Sequence, residues 1–306
     1  MSSNYQTVLD IIAEEVRPHF GKGKVADYIP ALAQVDPKRF GMAIATVDGT
    51  EFSIGDAAVP FSIQSISKVF TLMMALARMG DEVWTQVGKE PSGNRFNSLV
   101  QLEYEAGVPR NPFINAGALV VTDMLASTLR DPKTAIRDYV RVLARNFEID
   151  FDNVVAESEL ATAHVNAALA HLMKSHGRIT ARVLDLLDIY CHQCALSLSC
   201  ADLARAFLPL AGRGVSPLME EAVLTERQAK RINALMMTCG LYDSVGSFAY
   251  RVGLPAKSGV GGGIVAVMPG VLSVAVWSPE LDRSGNSYVG TGALELFSRL
   301  TRLSVF

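Results

Sequence analysis

The chain has 306 residues, 49% hydrophobic and 19% charged, with a formal net charge of −3 and a sequence pI near 6.0. That is apolar material for one large domain or for two lobes sharing a core. The composition excludes the clustered Lys and Arg of a nucleic-acid surface; no run of five like charges occurs, and no stretch of about 18 uncharged apolar residues offers a membrane span.

The opening segment, MSSNYQTVLDIIAEEVRPHF, lacks a basic n-region, and acids interrupt its apolar positions. It does not read as an export signal, so a cytoplasmic location is expected. Val8, Ile11, Ile12 and Val16 recur at helical spacing and predict an amphipathic helix over 5–20. GMAIATVDGTEFSIGD (41–56) predicts two strands around an Asp48-Gly49 turn. A helix follows over about 65–79. From 114 to 240 the patterns are helical, as in NAGALVVTDMLAST, KTAIRDYVRVLARNF and CADLARAFLPLAG. AKSGVGGGIVAVMPGVLSVAVWSP (256–279) predicts two β-rich runs joined at Pro269-Gly270, and a last helix spans 290–303. PSGNRFNS (91–98) and GVPRNP (107–112) read as loops.

Strands thus stand at both ends of the sequence and helices between them. The fold expected is α+β, an α/β sandwich. One antiparallel sheet is built from N- and C-terminal strands and covered by the first and last helices, with an all-helical lobe inserted. On this reading 1–306 is a single domain, with a sheet lobe at about 1–64 and 241–306 and a helical lobe at about 65–240. Four cysteines (Cys191, Cys194, Cys200, Cys239) make no disulfide framework in a chain of this length. The C-H-Q-C at 191–194 has no second metal-binding pair, and structural thiols are the better reading.

Residues 62–68 read S-I-Q-S-I-S-K, and Lys68 is the one charge between Asp56 and Arg78. Ser65 lies three residues before it, on the same helical face. An amine in apolar surroundings loses hydration, its pKa falls, and a neutral amine can take a proton from a serine one turn away. Composition alone yields about 0.7 such S-x-x-K pairs, so the motif leaves two readings: a working pair, or a lysine snorkelling from a helix end. Lys257-Ser258-Gly259 at the head of a late strand adds weight to the first. S-x-x-K and K-[ST]-G are paired marks of the serine β-lactamase and penicillin-binding fold. The run Gly259–Gly263 lies between β-like segments rather than opening a helix, which speaks against a dinucleotide loop. A strand edge without side chains lets backbone N–H groups approach a ligand, as an oxyanion hole requires.

Read whole, the chain closely resembles the bacterial serine-dependent glutaminases. The resemblance runs from about Gly21 to near the C-terminus and rests on ordered blocks: GKGKVADYIPALA, VDGTEFSIGDAAVPFSIQSISKVF, VGKEPSGNRFNS, RNPFINAGALVV, ESELATAHVNAALAHLMKS and VGLPAKSGVGGGIVAV. It implies hydrolysis of L-glutamine to L-glutamate and ammonia without metal or organic cofactor, by an enzyme that assembles as dimers or tetramers. By motif, Ser65 becomes the nucleophile and Lys68 its base, with Tyr190 relaying a proton. The N–H groups of Ser65 and Val260 hold the oxyanion. Glu159 meets the substrate ammonium, and Tyr28, Asn115, Asn166, Tyr190 and Tyr242 complete the pocket.

Taken singly, Asn115 reads as a helix N-cap, Glu159 as a solvated carboxylate and the three tyrosines as core aromatics. Only their placement inside the matched blocks favours the pocket. Lys257 is structural or electrostatic and ranks below Lys68; no histidine is assigned a catalytic role. Tyr190 is followed by Cys191 and His192 where penicillin-binding proteins carry an asparagine, which argues against β-lactam chemistry. The alternatives are another serine amidase or esterase of the same fold, and a binding protein without activity.

Overall fold

The computed structural model describes residues 4–92 and 98–306. Most of the expected loop at 91–98 therefore lies outside the described residues. The larger sheet is built from β1 (Gly41–Thr46), β2 (Glu51–Gly55), β6 (Ala256–Ser258), β7 (Gly263–Met268) and β8 (Leu272–Trp277). Its order is β2-β1-β8-β7-β6, and every neighbouring pair is antiparallel. N- and C-terminal strands meet at β1 and β8, with Ala43 opposite Ala275. The expected hairpins form at Gly49 (φ +88°) and Gly270 (φ +81°), where the chain needs the left-handed backbone that glycine adopts without a Cβ clash.

The three central strands β1, β8 and β7 are buried along their length except at Met268, because both faces of the sheet are covered. Alternation sorts their side chains between two cores. Met42, Ile44, Ile264, Ala266, Val274 and Val276 point to one, shared with Leu9 and Ile12 of the first helix (Tyr5–Glu15) and Phe297 of the last (Tyr288–Thr301). Ala43, Ala45, Val265, Val267 and Ala275 point to the other, with the helices Ser67–Met79 and Cys200–Ala206. The first helix stops five residues short of the expected 20. Pro18 follows in a 3-10 turn (Arg17–His19), and a proline cannot continue the i→i−4 ladder. The last helix starts at Tyr288, where the Ser287 hydroxyl accepts from the Gly290 N–H.

One element was not foreseen. β3 (Phe61–Ser62), β4 (Asp150–Phe151) and β5 (Leu196–Leu198) form a second antiparallel sheet in the order β3-β5-β4. Strands of two or three residues carry too little alternation to be read from sequence. Their position matters more than their size, since β3 leads directly into Ser65. Among the described residues no helix is long and apolar enough to cross a membrane.

Candidate active site

β3 runs into a single 3-10 turn, Gln64–Ile66, and then into the buried helix Ser67–Met79. Three supports hold that turn. The Ile63 N–H donates to Leu196 O (3.0 Å), and Ser62 Oγ donates to Cys194 O (3.1 Å). Gln64 is held at φ +50°, a strained conformation for a residue with a side chain. The glycine run closes on the turn from the third side. A Cβ on Gly259 would stand 2.3 Å from Ile63 O, and one on Gly261 2.2 Å from Ser62 O. Trp277 fixes this contact by donating from Nε1 to Gly261 O (3.0 Å) while stacking on Phe61 at 4.8 Å. The glycines expected to admit a ligand thus admit the backbone ahead of Ser65. Val260, between them, faces the cavity.

That cavity, of about 590 Å³, is in the size range of small-molecule sites. Its wall includes Tyr28, Ser65, Asn115, Glu159, Asn166, Tyr190, Tyr242 and Val260, which are all eight residues expected to bind substrate. They come from separate elements: Asn115 opens the helix Asn115–Thr128, Glu159 lies on Asn153–Thr162, Asn166 on His164–Ser175 and Tyr190 on Val183–Cys194. Tyr28, 58% exposed, stands at the rim.

Lys68 sits behind this wall, 1% exposed. Its Nζ donates to Asn115 Oδ1 (2.6 Å) and to Phe113 O (3.1 Å). Asn115 is no N-cap; its side chain is a junction. Oδ1 also accepts from the Tyr190 hydroxyl (3.4 Å), and Nδ2 donates to Asn166 Oδ1 (2.9 Å). Burial lowers the Lys68 pKa to about 8, with Cys194 and Glu159 acting in the opposite sense. Burial raises Glu159 to about 7, against the pull of Gln64 and Lys68. Glu159 Oε2 is buried and has no hydrogen-bond partner among the described residues. Burial also raises Tyr190 far above the phenol range and Tyr242 to about 12; hydrogen bonding with Ser65 and Ser258 pulls Tyr242 back.

A model of the glutaminase family matches residues 23–306. A glutaminase of Caulobacter vibrioides is 61% identical over 302 residues, covering 98% of each chain. The chain belongs to the glutaminase family. Among solved structures, a probable glutaminase, ybaS, matches with a TM-score of 0.91 at 37% identity over 98% of both chains. Mglu in its glutamate form matches with a TM-score of 0.93 at 36% identity, over all of this chain and 70% of that one. These glutaminases carry the β-lactamase-like fold, so the α+β sandwich read from the sequence is the fold the chain has.

In this glutaminase Ser65, in the 3-10 turn that precedes the buried helix, and Val260, in the turn after β6, both line the cavity wall. Lys257 lies deeper, its Nζ donating to Gly240 O (3.0 Å) and Ser258 O (2.6 Å), 4.7 Å from the centre of the Tyr242 ring. Among the wall residues that the sequence does not single out for the pocket are Gln64, Cys194, Asp243 and Arg283. Gln64 stands in a recognised block next to Ser65, but nothing in the pattern marks its left-handed backbone. Cys194 was read as a structural thiol, and burial does push it far above the reactive range.

Proposed function

We propose that the chain hydrolyses the side-chain amide of L-glutamine to L-glutamate and ammonia through an acyl-enzyme on Ser65. One observation carries the reading. A buried carboxylate oxygen without a partner, Glu159 Oε2, shares a cavity with Ser65, itself one turn before a lysine whose pKa is near 8. Glutamine presents an α-ammonium and, at the far end of its side chain, an amide. An unpaired buried carboxylate is costly, and a ligand ammonium relieves that cost.

A neutral amine has two N–H groups and one lone pair. Phe113 O and Asn115 Oδ1 take both hydrogens of Lys68, which leaves its lone pair for the Ser65 proton. Ser65 Oγ attacks the amide carbon, its proton passes to Lys68 Nζ, and the oxyanion forms against the N–H groups of Ser65 and Val260. The proton then leaves with ammonia, Tyr190 relaying it. Water cleaves the glutamyl ester, regenerates Ser65 and yields glutamate. Asn115, Asn166, Tyr242 and Tyr28 hold the rest of the amino acid. The site draws on helices and on the β6–β7 turn alike, which supports reading 1–306 as one catalytic unit with sheet and helical lobes.

The test is release of glutamate and ammonia from L-glutamine by the wild type and by Ser65→Ala. Turnover by the wild type alone is expected; equal rates would remove Ser65 as nucleophile. We place the enzyme in the cytoplasm as a dimer or tetramer of identical chains. The free state of all four cysteines supports the compartment, and light scattering at working concentration tests the assembly.

A further inference from the structure

Glutamine reaches the cavity as a zwitterion. In the reaction above Glu159 meets its ammonium and Ser65 its amide, while the α-carboxylate is left to neutral amides and phenols. A carboxylate leaving water is held best by donors that carry the opposite charge. Among the described residues the cavity wall has one cationic side chain, Arg283. No described residue forms a hydrogen bond or ion pair with its guanidinium, Asp243 on the same wall included.

An exposed arginine is ordinarily a solvated surface charge, but the seat of this one is built. It springs from a turn that Asp282 closes, Oδ1 accepting from the N–H groups of Ser284 (2.8 Å) and Asn286 (3.1 Å). The backbone adds Asp282 N–H to Asn286 O (2.8 Å) and Gly285 N–H to Asp282 O (3.1 Å). Both ends are anchored. Leu281 bridges Lys24 through two backbone hydrogen bonds (2.9 and 3.0 Å). Asn286, 1% exposed, donates to Leu241 O (3.3 Å) and accepts from Ser258 Oγ (2.6 Å). Gly285, at φ +86°, lays the turn beside two wall residues, its Cβ position 3.8 Å from the Tyr242 ring and 4.0 Å from Val260 Cγ1. The backbone that carries the arginine is therefore fixed at the mouth of the site.

We propose that Arg283 is a specificity residue that meets the α-carboxylate of the substrate at the mouth of the cavity and so favours glutamine over amides without that group. The inference rests on the glutaminase reading of the cavity and adds to it the one charge of the substrate that the reaction leaves unanswered.

The experiment compares wild type, Arg283→Gln and Arg283→Lys on glutamine and on 4-aminobutanamide, which keeps the ammonium and the amide and lacks the carboxylate. Arg283→Gln raises KM for glutamine about fivefold, the scale of an exposed charge pair, with kcat changed less than about twofold. Its kcat/KM for 4-aminobutanamide stays within about twofold of the wild type, and Arg283→Lys recovers part of the loss on glutamine. Raising NaCl from about 50 to about 500 mM narrows the gap in KM between wild type and Arg283→Gln, because a charge at the rim is screened. An unchanged KM for glutamine in Arg283→Gln overturns the proposal, as does an equal loss on both amides, which a merely structural arginine would give. If the wild type turns over 4-aminobutanamide too slowly to measure, a gap in KM that is the same at both salt concentrations overturns it instead. Absence of glutamate release from glutamine by the wild type sinks the glutaminase reading, a separate failure visible before any variant is made.

Discussion

Two lysines in this chain, Lys68 and Lys257, are each 1% exposed, and each donates to two acceptors. Burial lowers the pKa of both. Yet Lys68 comes to rest near 8, whereas Lys257 is driven well below the lysine range. The difference lies in the neighbours. Glu159 stands close enough to Lys68 to favour its charged form, while Lys257 has Lys68 itself as a like-charged neighbour. Burial beside another lysine drives the pKa of Lys257 far down. Burial beside a carboxylate makes a lysine that gains and loses a proton near neutrality, as a base must.

The sharpest test removes the first lysine. Lys68→Ala is expected to lower kcat by about a thousandfold or more, the scale of a lost general base added to a disturbed nucleophile, while the protein still folds. Circular dichroism alongside the glutamate assay checks both halves; a Lys68→Ala enzyme of ordinary activity would erase the distinction. Next in size is Glu159→Gln, which forfeits a buried charge pair with the substrate ammonium of about 2–5 kcal/mol. A loss of roughly a hundredfold in kcat/KM, mostly in KM, is expected. The same substitution tests the comparison itself. Activity needs Lys68 neutral, so kcat rises as pH passes upward through its pKa. Glu159 raises that pKa, so without its charge the acid limb moves to lower pH. A limb that stays in place separates Lys68 from Glu159 and breaks the argument.

The sequence made the large sheet legible because β1, β7 and β8 are six-residue runs bounded by Asp48-Gly49 and Pro269-Gly270. The small sheet was not legible, since two-residue strands have no period, yet it is β3 and β5 that set the entry to Ser65. Of the site, the spacing of Ser65 and Lys68 and the Lys-Ser-Gly triplet were open to chemical reasoning. Glu159, Asn166 and Tyr242 were reached only through the family blocks, because lone polar residues on helices look alike until the helices pack. Gly259 and Gly261 were noticed for a reason that proved incomplete. Their missing side chains make room for Ser62 O and Ile63 O, a contact between segments nearly 200 residues apart that no local pattern announces.

Lys257 supplies the smallest effect on turnover and the other side of the comparison. Lys257→Met keeps the length of the side chain and removes the two N–H donors. Gly240 O keeps the Ser258 N–H (3.3 Å), but both carbonyls lose the amine, which is itself buried. A buried acceptor left short of a donor costs about 1–3 kcal/mol, so thermal unfolding should move down by several degrees. Turnover should fall by no more than about tenfold, through looser seating of the Tyr242 ring that Lys257 covers. The two variants therefore exchange signatures: Lys68→Ala loses activity far more than stability, and Lys257→Met stability more than activity. A folded Lys257→Met enzyme as inert as Lys68→Ala would show that Lys257 takes part in proton transfer. The neighbouring carboxylate would then not be what separates the two lysines.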